Sequence, residues 1–123
     1  MPTLEQLGSE KYALLTTFRR DGRAVATPLW VMPDGDGIAF WTPRDSGKVK
    51  RIRNNGRVTV TACDMRGNPR GEAVEATARL GDTADWKRVT KALTRKYGLM
   101  GRLTLLGSRL RGGADRTVIV LVS

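Results

Sequence analysis

Six short runs rich in β-branched and aromatic residues, parted by turn signals, decide what this chain can fold into. Tyr12 to Phe18 is the first, and Arg20-Asp21-Gly22 supplies a hairpin turn before a second run from Ala24 to Met32. Pro33-Asp34-Gly35-Asp36-Gly37 then leads to Ile38 to Thr42, so three strands are expected as a meander. Arg57 to Cys63 alternates Val58, Val60 and Ala62 against Thr59 and Thr61. After Gly67-Asn68-Pro69, the segment from Glu72 to Leu80 alternates again, and Thr117 to Val122 forms a last strand.

Helical patterns interrupt these strands without alternating with them. Ser46 is expected to cap a short basic helix with Val49 and Ile52 three apart, closed by Asn55-Gly56. Asp82 or Thr83 starts a second helix whose apolar face is Trp86, Val89, Leu93 and Tyr97, ending at Gly98. A further amphipathic stretch puts Leu99, Leu103, Leu106 and Leu110 on one stripe and Arg102 and Arg109 on another, before Gly112-Gly113 ends it. Six strands with one short and two longer helices do not form β-α-β units. The expectation is therefore a mainly β fold, a six-stranded antiparallel β-barrel with helices, rather than a parallel Rossmann sheet. The 123 residues are expected to form one domain over 1–123.

Composition removes several chemistries. There is no histidine, which excludes Ser-His-Asp and Cys-His catalysis and every imidazole-bound zinc site. The single cysteine, Cys63, can form no intramolecular disulfide and is expected as a buried small hydrophobe, in keeping with a reducing cytoplasm. The acidic residues show no spacing that requires a metal, and no stretch approaches the roughly 18 apolar residues of a membrane span. Against 12 Asp+Glu stand 22 Lys+Arg, a formal charge of +10, so the partner should be anionic. A nucleic-acid-binding barrel fits that charge but not an aromatic content of 6%, because single-strand binders stack bases on exposed aromatics.

Two segments are candidates for chemistry. From Thr42 through Arg44, Ser46 and Lys48 to Lys50, Arg51 and Arg53, a strand ends where a basic helix begins. That junction offers free backbone N–H groups, a hydroxyl and cations to a phosphate, although a solvated basic helix explains the same residues equally well. In Thr27-Pro28-Leu29-Trp30 a proline interrupts a strand, marking either a bulged edge or the approach of a ligand. Trp41 is either core or a pocket wall.

The order Tyr12-Ala13-Leu14-Leu15-Thr16-Thr17-Phe18, Asp21-Gly22, Thr27-Pro28-Leu29-Trp30, Trp41-Thr42, Ser46-Gly47-Lys48 and Arg57-Val58 resembles the pyridoxamine-phosphate-oxidase-like split β-barrel proteins. With Arg95-Lys96-Tyr97-Gly98 and Gly101-Arg102-Leu103 to Gly107-Ser108-Arg109-Leu110, it is most similar to their deazaflavin-dependent branch. The resemblance implies a homodimer with cofactor sites at the subunit interface. It also implies that Lys48 and Ser46 hold phosphate, that Thr27, Pro28 and Leu29 line the ring, and that Trp41 and Thr42 border the same pocket, with Lys50 and Arg53 as weaker members of the site. The implied cofactor is coenzyme F420, with flavin mononucleotide (FMN) as the alternative. The implied activity is hydride transfer to a small, conjugated organic substrate, with a non-catalytic F420 carrier as the other reading. The deazaflavin carries a phosphodiester and an oligoglutamate tail, which suit a +10 chain; Arg102, Arg109 and Arg111 read first as a solvated helix face and second as an extension of that surface toward the tail. A haem-binding role lacks its usual axial histidine. Tyr12, Tyr97, a lysine or water remain open as proton donor.

Overall fold

The computed structural model describes residues 2–110 and 117–123, with the stretch 99–110 described by its backbone. Six strands, β1 (Tyr12–Phe18), β2 (Ala24–Asp34), β3 (Gly37–Pro43), β4 (Arg57–Cys63), β5 (Val74–Leu80) and β6 (Thr117–Val122), close a barrel in the order β1-β2-β3-β6-β5-β4. Every neighbouring pair is antiparallel. The expected meander is β1-β2-β3, and β5 begins two residues later than its alternation suggested.

Period-2 alternation divides the barrel's side chains into two sets. Ala13, Leu15, Val31, Ile38, Phe40, Val58, Val60, Val120 and Val122 meet inside, and all of them are buried. Met32, Ala39, Ile119 and Leu121 face the other way and meet Val89 and Leu93 of α3 (Thr83–Leu110). After Thr117, β6 therefore reads as an unbroken apolar run because both of its faces are covered.

Two short helices add residues to the barrel interior. α1 (Leu4–Gly8) contributes Leu7 and α2 (Gly47–Asn54) contributes Ile52. Sequence reading missed α1, although its signal is present: Thr3 and Gln6 form a reciprocal capping box, with Gln6 N–H donating to Thr3 Oγ1 at 3.2 Å and Thr3 N–H to Gln6 Oε1 at 2.8 Å. α3 opens with a similar exchange between Asp82 and Asp85, both bonds at 2.9 Å. At Gly98, φ 58° and ψ −129° lie outside the helical region and are open mainly to glycine, so the two expected helices meet at a break there. The Leu99, Leu103, Leu106 and Leu110 stripe and the arginines Arg102, Arg109 and Arg111 fall outside the described side chains. No described helix is long and apolar enough to cross a membrane.

Candidate functional site

The barrel is closed but not evenly paired. β2 pairs with β1 over Ala24–Trp30 and with β3 only over Val31–Asp34. β3 pairs with β6 through Pro43 but with β2 no further than Phe40. Residues 24–30 of β2 thus have no strand on the β3 side, and Trp41 to Pro43 have none on the β2 side. The wall splits between these lips, so the backbone on their facing sides takes no part in strand pairing. Pro28, which has no N–H, sits where only one ladder must be served.

Of the candidate residues, Thr27, Pro28, Leu29, Trp41 and Thr42 lie on the two lips, on two faces. Leu29 reaches the interior cluster and, by alternation, Thr27 shares its face. Pro28 points outward, where its ring and the Leu14 side chain both approach Gly67. Trp41 also faces outward, into the layer that holds Trp30, Trp86 and Tyr97. Thr42 is fully buried. Ser46 takes the N-cap position of α2 but, contrary to expectation, its hydroxyl makes no capping bond.

Among the described residues, three buried side-chain polar atoms have no hydrogen-bond partner: Trp41 Nε1, Thr42 Oγ1 and Ser46 Oγ. Such atoms are rare in native folds and call for an explanation. An indole N–H and two hydroxyls can all donate to an oxygen-rich ligand. Lys48 follows Ser46 by two positions, in the first turn of α2. It is half-buried, with no hydrogen bond or ion pair among the described residues, and burial first, then the Arg51 guanidinium, lowers its pKa. A bound anion would relieve both effects. Two hydroxyl donors and an ammonium are the chemical types that suit a phosphate.

Lys50 and Arg53 part company with Lys48. At 3.6 residues per turn, Arg53 lies roughly 140° around α2 from Lys48, exposed on the opposite flank. Lys50 shares the outward face with Gly47, Arg51 and Asn54, which border a cavity of about 780 Å³ against the β1–β2 hairpin. Sequence reading placed Arg51 in the basic junction without giving it a role of its own, and did not single out the hairpin arginines for a site. The i, i+3, i+4, i+7 spacing of 47, 50, 51 and 54 was the available signal.

Tyr97 is committed elsewhere. Its hydroxyl lies 2.6 Å from the Lys11 carbonyl and 2.8 Å from that of Val31, and burial pushes its pKa up to about 12. It is a clamp between α3 and β2, stacked on Trp30 with ring centroids 4.4 Å apart. Because this phenol holds its proton to higher pH folded than unfolded, its stabilising contribution is complete below about pH 10 and is lost as pH rises towards 12. Chemical denaturation across that window should therefore show stability falling with pH, and less steeply in Tyr97→Phe. Identical slopes would contradict the assignment.

A family model described as Pyridoxamine 5'-phosphate oxidase matches residues 3–122. No curated protein matches the chain. Among solved structures, a conserved hypothetical protein from Mycobacterium tuberculosis is 20% identical with a TM-score of 0.72, over 95% of this chain and 74% of that one. A haem storage protein from Vibrio cholerae is 14% identical with a TM-score of 0.67, over 94% and 82%. An F420 reductase is 21% identical with a TM-score of 0.58, over 99% and 93%. At these identities the likeness is one of fold.

Proposed function

The chain belongs to the pyridoxamine 5'-phosphate oxidase family, and from that membership we propose that it is an oxidoreductase binding the deazaflavin coenzyme F420 along the split between β2 and β3. The observation that supports the reading is a half-buried Lys48 without a counter-charge, in the same β3–α2 segment as two buried hydroxyls without partners, those of Thr42 and Ser46. The choice of deazaflavin over FMN is supported by charge: a +10 chain suits the more anionic of the two. A haem role is disfavoured, since the chain has no histidine to ligate the iron.

In this reading Lys48, Ser46 and Thr42 hold the phosphate by charge-assisted and hydroxyl hydrogen bonds. The β3-facing side of the backbone at residues 27–29, which carries no strand, fixes the ring plane, and Leu29 and Trp41 keep water from its two sides. When bound, the deazaflavin supplies or takes a hydride; the substrate is a small organic molecule that reaches the ring through the split. A second copy of the chain covers the outward β1–β2 face, where Leu14 and Pro28 meet near Gly67 in a loop whose Met65 is 67% exposed.

Titration of the purified protein with the deazaflavin and with FMN, followed by Trp quenching, tests the proposal. Micromolar or tighter binding of the deazaflavin with weaker FMN binding is expected. Preference for FMN would transfer the protein to flavin chemistry, tight deazaflavin binding without turnover of any acceptor would make it a carrier, and binding of neither would overturn the reading.

A further inference from the structure

The cavity of about 780 Å³ lies between the Arg19–Arg23 hairpin and the outward face of α2. Its walls carry Arg19, Arg20, Arg23, Lys50 and Arg51 against a single acid, Asp21, which is already paired to Arg23 at 2.8 Å. Arg19, Arg20, Lys50 and Arg51 have no acidic partner among the described residues.

Arg51 is held rather than merely exposed. Its Nε–H donates to Thr17 Oγ1 at 2.6 Å, and Thr17 is itself 1% exposed on β1. The rest of the guanidinium lies against the first turn of α2, where a Cβ on Gly47 would come within 2.8 Å of Arg51 Nη1. Glycine leaves the room that the fork occupies. Burial and the neighbouring Arg19 both lower the Arg51 pKa, so like charges are crowded here at a cost that an anion would remove.

We infer that this cavity is a second anion subsite, next to the phosphate position at Lys48, and that it takes a further phosphate or carboxylate group through Arg51, with Thr17 as its positioning residue. The inference rests on the function proposed above only in giving the first phosphate to Lys48. A planar, pre-held guanidinium suits a bidentate oxyanion better than a flexible lysine does. The second acid group belongs either to the cofactor or to an anionic substrate.

The test begins with inorganic phosphate and pyrophosphate, titrated calorimetrically at fixed ionic strength, so that it is independent of any flavin. Pyrophosphate should bind at least tenfold tighter than phosphate. Arg51→Met should abolish that preference, and Thr17→Val should weaken pyrophosphate several-fold while Thr17→Ser restores it. Gly47→Ala, which displaces the guanidinium without removing it, should act in the same direction. Lys87→Met on the exposed surface of α3 removes the same charge and should leave binding as it is. Equal affinity for the two anions, wild-type binding by Arg51→Met, or an equal loss in Lys87→Met would each overturn the subsite. Repeating the titration with inorganic phosphate on deazaflavin-saturated protein, in which the Lys48 position is already filled, identifies the source: loss of Arg51-dependent phosphate binding assigns the second acid group to the cofactor, and phosphate binding that persists and is abolished by Arg51→Met assigns it to the substrate. Should neither flavin bind, the function proposed above fails while the pyrophosphate result still decides the subsite.

Discussion

Lys48→Ala is expected to weaken binding of the phosphate-bearing cofactor by about 1.5–3 kcal/mol, or roughly 10- to 150-fold, through loss of one charged hydrogen bond. Stability should not fall with it. Lys48 has no hydrogen bond or ion pair among the described residues and sits beside the like-charged Arg51, so its removal costs the fold no bond and relieves repulsion. Cofactor titration and thermal unfolding of the same preparation separate the two effects. Weakened binding with an unchanged or raised Tm supports the phosphate assignment. Unchanged affinity would remove Lys48 from the site, and a large drop in Tm would make the lysine structural.

Lys96→Met is expected to do the opposite, destabilising the fold by roughly 2–4 kcal/mol before any effect on ligands. The Lys96 ammonium donates to the carbonyls of Gly8 and Val31, both at 2.7 Å, and to that of Glu10. One side chain thereby ties α3 to the end of α1 and to β2. Burial lowers its pKa to about 8, which still leaves it charged at neutral pH. Methionine replaces the apolar stem but removes the ammonium from the Gly8 and Glu10 carbonyls and leaves that of Val31 to the Tyr97 hydroxyl. A fall in Tm of roughly 10 °C is expected in a domain of this size. Lys91→Met, an exposed lysine on the same helix, should stay within about 0.5 kcal/mol of wild type. If the two variants unfold alike, the carbonyl cluster contributes nothing.

Much of this architecture was legible in the chain because its signals are local. Alternation over Arg57–Cys63, the Asp-Gly turn after Phe18 and the apolar spacing of Trp86, Val89, Leu93 and Tyr97 each depend on residues only a few positions apart. The Thr42–Lys48 segment was legible for the same reason, since a strand end, an N-cap and a cation follow one another in sequence. Ser46 shows where such reading stops. A serine before a helix promises a capping bond, yet here tertiary surroundings bury the hydroxyl without one.

The sequence by itself determined the six strands, the basic helix, the break at Gly98 and the exclusion of histidine chemistry. Only the tertiary structure decided that β2 leaves β3 after four paired residues, opening the split, and that Arg51 leans on Thr17, 34 positions earlier. It also decided that Lys96 finds its acceptors 65 to 88 positions away. The physical reason is that periodicity reports which face a side chain shares with its neighbours in sequence. Barrel closure chooses its partners across the fold, and no local pattern records that choice.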